Sequence, residues 1–232
     1  MKEIYVDHSA TTYVKKEVLD EMLPYFTEKF GNASSQYTIG REAKKAVDMA
    51  RHKIAEAISA DYDEIYFTAS GSEADNLVLS GMAHANRGKK NHIITSKIEH
   101  PAVLNTCKSL EKEGFKVTYL NVDKNGFVKL DELRNSITED TLVISIMTAN
   151  NEIGTIQNIQ EITKIAKFKG VYFHTDAVQA IGNIPINVKE MGIDALSMSA
   201  HKFYGPKGIG ALYIKKRNRF YPSYIWRTSR KI

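Results

Sequence analysis

Apolar positions along this chain fall into two alternating spacings. Val14 to Phe26 repeats at helical intervals through Val18, Met22 and Phe26, broken by Pro24. Arg41 to Ser59 is the clearest helical pattern, with Ala43, Val47, Ala50, Ile54 and Ile58 on one face. Further helices are predicted over Ser72–Ala85, starting just after Gly71, and over Pro101–Lys112, Leu130–Ile137 and Ile159–Phe168. Pro101 takes the first helical turn, where its missing N–H costs nothing. Between these lie short apolar runs that read as strands: Ile4–Val6, Ile65–Thr68, His92–Thr95, Lys116–Val122, Leu142–Met147, Val171–His174, Ile193–Met198 and Gly210–Ile214. Strands separated by helices predict right-handed crossovers, hence an α/β fold whose mostly parallel sheet carries helices on both faces. No internal repeat, low-complexity segment or Pro/Gly-rich linker interrupts the pattern.

In such sheets ligands gather beyond the carboxyl ends of the strands. The residues following the predicted strands are Thr68 to Ser72, Glu99-His100, Ala149 to Glu152, Asp176 to Gln179 and Ser199 to Lys202. They are mostly polar or small, and the fold would bring them to one edge. The last segment leads into Phe203-Tyr204-Gly205-Pro206-Lys207-Gly208, a turn rich in glycine and proline. A lysine at such a strand end, partly desolvated and next to His201, can become a nucleophilic amine able to hold an aldehyde.

Composition narrows the picture. The 232 residues are 43% hydrophobic and 25% charged, ordinary for a globular protein. A net charge of +5 is mild, with Asp and Glu lying among the Lys-Lys pairs, so nucleic-acid binding is not expected. No window approaches a membrane span and the N-terminus has no apolar signal core. Cys107 is the only cysteine, which excludes an internal disulfide and fits a reducing compartment, the cytoplasm.

Pyridoxal 5'-phosphate needs five kinds of contact, and the predicted edge offers each. Lys202 can take the aldehyde. Asp176, after the apolar run Val171–Phe173, can keep the pyridine nitrogen protonated. Gly71 and Ser72 at a helix start can hold the phosphate, with Ser199 and His201 nearby. His100 can stack on the ring, and Asn151 and Gln179 can donate to ring oxygen. Each has a structural alternative: Asp176 and Ser72 as turn or capping residues, His100 as a cap, Asn151 as a turn former, Lys202 as a surface lysine.

Several stretches together are similar to cysteine desulfurases of the NifS/IscS type, within the class V aminotransferases of pyridoxal phosphate fold-type I. They are Ile4 to Thr12, Gly31 to Ser35, Phe67 to Asn76, Glu99-His100, Asn150 to Gly154, His174 to Gln179, and Ser199-Ala200-His201-Lys202 through Tyr213. The resemblance implies that Lys202 holds the cofactor and moves the substrate α-proton, and that Asp176 pairs with the ring nitrogen. By the same resemblance His100 stacks on the ring and serves acid–base steps. Asn151 and Gln179 meet ring substituents, and Gly71, Ser72, Ser199 and His201 hold the phosphate. It further implies L-cysteine as substrate, alanine as product, sulfur passed as a persulfide to iron–sulfur assembly or thiolation acceptors, and a homodimer. Other class V activities, a selenocysteine lyase or an aminotransferase, and an inactive fragment of the fold are the rival readings. Tyr37, Ala33 and Thr68-Ala69-Ser70 depart from the commoner residues, so the loop carrying Ser72 is expected to sit slightly differently.

The family continues into a region with a persulfide cysteine and a substrate arginine, which this sequence does not contain. Residues 1–12 are expected to form an N-terminal segment, 13–215 the cofactor-binding domain and 216–232 a divergent basic tail. A codon string spelling Tyr224 to Ser229 reads Ile-Tyr-Gly-Gly-Gln when moved one base, so a frameshift near Pro222 with early termination is expected. Little desulfurase turnover is then expected of this chain alone. Cys107 has core spacing with Leu104 and Leu110 and is assigned to packing. Asn121 to Glu132 matches a calcium loop at several positions, but the strand-like run before it argues for a turn instead.

Overall fold

The computed structural model describes residues 4–216. Its core is a seven-stranded sheet: β1 (Ile65–Thr68), β2 (His92–Ser96), β3 (Lys116–Leu120), β4 (Thr141–Ser145), β5 (Tyr172–Asp176), β6 (Ala195–Ser199) and β7 (Gly210–Ile214). The order across the sheet is β1-β7-β6-β5-β4-β2-β3. β7 runs antiparallel to both neighbours, and the other pairings are parallel. The predicted α/β architecture with a mostly parallel sheet is what forms.

The helices are α1 (Lys16–Met22), α2 (Pro24–Thr27), α3 (Thr38–Ala57), α4 (Gly71–Ala85), α5 (Pro101–Lys112), α6 (Leu130–Ser136), α7 (Ile159–Phe168) and α8 (Val188–Met191). Alternation along the strands feeds two cores. Ile93, Leu142, Leu212 and Ile214 pack with Val78, Leu79 and Met82 of α4 and with Val103, Cys107 and Leu110 of α5. Ile94, Ile144, Leu196 and Tyr213 pack on the opposite side with Ile159, Ile162 and Ala166 of α7, Leu133 of α6 and Val188 of α8. Each fully buried aliphatic side chain contributes about 1.5–3 kcal/mol of transfer free energy. The central strands also bury polar residues among the apolar ones, including Thr95, Ser145, His174 and Ser197.

Two expectations fail. Ile4–Val6 is not a strand: these residues are exposed and join no ladder. The chain turns at once through Asp7–Ala10, where Asp7 Oδ1 accepts from Ser9 Oγ at 2.8 Å and from the Ala10 amide at 3.2 Å. The proposed face of α3 is also incomplete. Ala43 and Ala55 are buried with Ile58 just beyond, but Val47 and Ala50 are exposed; α3 packs chiefly on β1 and the 3-10 turn Tyr62–Glu64. Other differences are small. β3 stops at Leu120, and the Asn125-Gly126 turn closes with a single bridge between Val122 and Val128. The tail beyond residue 216, with the proposed frameshift, lies outside the described residues.

The sheet's topology places the site. The chain steps from β2 out to β3, then returns past β2 to β4, β5 and β6. Such a reversal opens a crevice at the carboxyl edge. Register aligns the ends: Ser145 pairs with Thr95 and His174, Asp176 with Ser197, and Gly210 with both Ser199 and Thr68.

Candidate cofactor site

A cleft of about 450 Å³ lies at that edge, lined by Gly71, Ser72, His100, Asn151, Asp176, Gln179, Ser199, His201 and Lys202. Every residue given a cofactor contact from the sequence lines this one cleft. Asp7, Ser9, Ala10, Ser70, Asp75, Met147, Glu152 and Val178 line it as well. Asp75 carried a readable signal. Ala74, Asp75, Val78 and Leu79 are all buried on α4, so a carboxylate stands on an apolar stripe. Ser9 and Ala10 carried none, since they act through backbone carbonyls.

α4 points its N-terminus into the cleft. Ser70 caps the helix, its Oγ accepting from the Glu73 amide at 3.0 Å. A Cβ on Gly71 would lie 2.5 Å from Val178 Cγ2 and 3.3 Å from Ser199 Cβ. Only glycine lets the helix start close against the loop after β5 and the end of β6. The helix start, with the Ser72 and Ser199 hydroxyls, forms a cradle suited to an anion.

Lys202 ends the 3-10 turn Ala200–Lys202 that follows β6. Its Nζ donates to the carbonyls of Ser9 and, at 2.9 Å, of Ala10. Burial lowers its pKa, against the opposing charges of Asp176 and Asp7. A larger share of neutral amine follows. His201 is also lowered, first by burial and then by Lys202 and Lys207, and its Nδ1 lies 3.1 Å from Thr11 Oγ1.

Asp176 closes β5 and is 5% exposed. Burial raises its pKa, and the Val178 amide at 2.9 Å with the charges of His100 and Lys202 offsets part of that rise. His100 caps α5, the alternative given for it, its Nδ1 accepting from the Ala102 amide at 3.1 Å, and it also lines the cleft. Its loop is fastened to the end of β4. The buried Glu99 accepts from Ser96 Oγ at 2.6 Å and from the Met147 amide at 3.0 Å, and Asn150 Nδ2 donates to the Ile98 carbonyl at 2.9 Å.

Asn151 Nδ2 donates to Glu152 Oε1 at 2.7 Å, and Gln179 Nε2 to the Ser9 carbonyl at 2.8 Å. Both amides therefore have protein partners that a ligand would replace. Cys107 is fully buried and its thiol is pushed up to about 12 by burial, outside the reach of the cleft chemistry. The calcium-like loop is entered from β3. Asp123 Oδ1 is spent on the Asn125 and Phe127 amides at 2.8 and 3.0 Å, and Glu132 Oε1 on Asn121.

A mostly parallel sheet with a lysine, a buried aspartate and a helix start converging at its carboxyl edge is a cofactor-binding α/β domain. The chain belongs to the aminotransferase class-V family, whose profile matches residues 4–225. It is 62% identical over 214 residues to a cysteine desulfurase IscS of Clostridium botulinum (strain Kyoto / Type A2), covering 92% of this chain and 54% of that protein. Among solved structures, a NifS-like protein superposes with a TM-score of 0.92 at 45% identity, covering 94% of this chain and 60% of that one. A structure described as SspA in complex with cysteine gives a TM-score of 0.90 at 42% identity, over 92% of this chain and 62% of that one. The chain thus spans about half the length of the curated relatives it matches. The cradle at Gly71, the buried Asp176 and the amine of Lys202 fit pyridoxal 5'-phosphate, the cofactor of this family.

Proposed function

We propose that this chain forms the cofactor-binding part of a cysteine desulfurase that converts L-cysteine to L-alanine and passes the sulfur on as a persulfide. The observation that carries this reading is the meeting of Lys202, Asp176 and the start of α4 in one cleft. When bound, pyridoxal phosphate supplies an electron-withdrawing ring that stabilises negative charge on the carbon next to it. Asp176, whose ionised form is favoured by the Val178 amide and by Lys202 against its burial, would hold a proton at the ring nitrogen. Gly71, Ser72, Ser199 and His201 would hold the phosphate, His100 would stack on the ring, and Asn151 and Gln179 would donate to its substituents. Lys202, with its lowered pKa, takes the substrate α-proton and returns it as alanine forms.

The sulfur must leave on a thiolate, which gains the S–S bond as the substrate C–S bond breaks. Cys107 cannot serve, being buried and held as a thiol. The acceptor thiolate therefore lies outside these 232 residues, which fits sulfur-accepting partners of iron–sulfur assembly or thiolation. Large exposed apolar side chains concentrate near the N-terminus, among them Tyr13, Leu23, Phe26, Phe30 and Ile39, a surface suited to a homodimer contact. The single reduced cysteine suits the cytoplasm.

Titration of the purified chain with pyridoxal phosphate tests the cofactor assignment. One equivalent should produce a long-wavelength absorbance band in the wild type and none in Lys202→Ala, and a variant that keeps the band sinks the assignment. With cofactor and L-cysteine, alanine should accumulate slowly and only when a thiol such as dithiothreitol is added. Formation of a keto acid instead would make the chain part of an aminotransferase.

A further inference from the structure

A second carboxyl lies in the cleft lining beside Asp176, and the mechanism above does not use it. Asp75 sits on α4, one turn after Gly71, and is 1% exposed. Its Oδ1 has no hydrogen-bond partner among the described residues. His174 Nε2 is 3.6 Å away. That ring is buried, with its pKa driven down to about 3, so it is neutral and makes no ion pair. Its nitrogens are engaged by Ser145 Oγ at 2.9 Å and Ser197 Oγ at 3.0 Å. An ionised Asp75 would therefore leave a buried charge with one bare oxygen, which costs several kcal/mol.

The groups facing the two carboxyls differ. Toward Asp75 stand the carboxyls of Asp176 on β5 and Glu99 after β2, neutral His174 on β5, and only the Ser197 hydroxyl on β6 to favour its anion. Toward Asp176 stand the Val178 amide and the charges of His100 and Lys202. Two buried carboxyls that repel each other do not both ionise, and the proton stays where the anion has fewer donors.

We infer that Asp75 is a positioning residue: the pair Asp75–Asp176 shares one proton, Asp75 keeps it, and Asp176 is thereby the single anion of the pair. If Asp75 bore the charge instead, Asp176 would take up the proton, and a cationic ring nitrogen would face a neutral acid. This consequence rests on the cofactor reading above; the sharing of the proton does not.

Carbon-13 spectra of the cofactor-free protein, labelled at aspartate carboxyls and titrated with pH, test the pairing. One carboxyl should remain protonated beyond neutrality, and its signal should vanish in Asp75→Asn. In Asp176→Asn the Asp75 midpoint should fall by about one pH unit or more, because the opposing charge is gone. Ser197→Ala, which leaves both carboxyls in place, should move the Asp75 midpoint upward and serves if Asp75→Asn does not fold. Persistence of the high-pH signal in Asp75→Asn, or an Asp75 midpoint indifferent to Asp176→Asn, overturns the inference. Absence of the pyridoxal phosphate band in the wild type would overturn the cofactor reading while leaving the carboxyl titrations to be judged separately.

Discussion

Gln179 and Lys202 donate to the same oxygen, the main-chain carbonyl of Ser9, Gln179 at 2.8 Å and Lys202 alongside it. The segment carrying Ser9 is stitched to the lysine turn further on. The Thr12 amide donates to the His201 carbonyl at 2.8 Å, the Tyr204 amide to Thr12 Oγ1 at 2.8 Å, and the Lys15 amide to the Tyr204 carbonyl at 3.1 Å. Tyr204 holds a left-handed φ of 67° to make this join, a strained conformation for a tyrosine. The N-terminal segment and the lysine turn thus brace each other across the mouth of the cleft.

Removing the lysine should loosen that brace. In Lys202→Ala two donors to the Ser9 and Ala10 carbonyls are lost, each charge-assisted bond contributing about 1.5–3 kcal/mol at most. Amide exchange at Thr12 should rise about tenfold, corresponding to roughly 1.4 kcal/mol of local opening, while exchange in β4 and β5 stays at wild-type rates. Equal acceleration in the central strands would mean that the lysine supports the whole fold.

Gly71→Ala tests the cradle. The added Cβ meets Val178 Cγ2 at 2.5 Å, so the start of α4 must move away from the loop after β5. Alanine is otherwise a better helix former than glycine by about 0.5–1 kcal/mol, so global stability should change little. Pyridoxal phosphate affinity, measured by absorbance titration, should fall about tenfold or more, the cost of about 1.4 kcal/mol in misplaced phosphate donors.

Glu99 links stability to pH. Burial pushes its carboxyl up from 4.5 to about 8, so the folded chain binds a proton that the unfolded chain releases above 4.5. Its contribution is complete below pH 4.5 and declines as pH rises through about 8, by something on the order of 4 kcal/mol across that window. Urea unfolding at several pH values should show this decline, and Glu99→Gln, neutral throughout, should flatten it. A variant with an unaltered slope would assign the pH dependence to other groups.

Cys107 should be silent to thiol reagents in the native state. It is fully buried against Leu110 and Val103 and remains a thiol far above neutrality. A disulfide reagent should titrate it only after denaturant is added, and Cys107→Ala should cost about 1–2 kcal/mol in unfolding free energy through the lost packing. Rapid labelling of the folded chain would reopen Cys107 as a sulfur acceptor.

Much of the fold was legible because its signals are local. Pro101 at a helix start and the 3.6-residue pattern of Ile159–Phe168 gave those helices their observed bounds, and Gly210–Ile214 was recognisable as a strand. Ile4–Val6 misled for the same local reason: three apolar residues favour a strand, but no sheet edge lies beside them. The outer half of the α3 face misled because periodicity records which side is apolar without recording what covers it. Val47 and Ala50 are exposed.

The sequence by itself determined the alternation of strands and helices, the residue types at the strand ends, and therefore that Lys202, Asp176, His100, Ser72, Asn151 and Gln179 would meet. Only the tertiary structure decided what each group feels. Desolvation and charge act through space, between segments far apart in the chain. That is why the backbone of Ser9 and Ala10 was invisible as a partner of Lys202, and why Asp75 emerged as a second buried acid only once α4 was laid over β5 and β6.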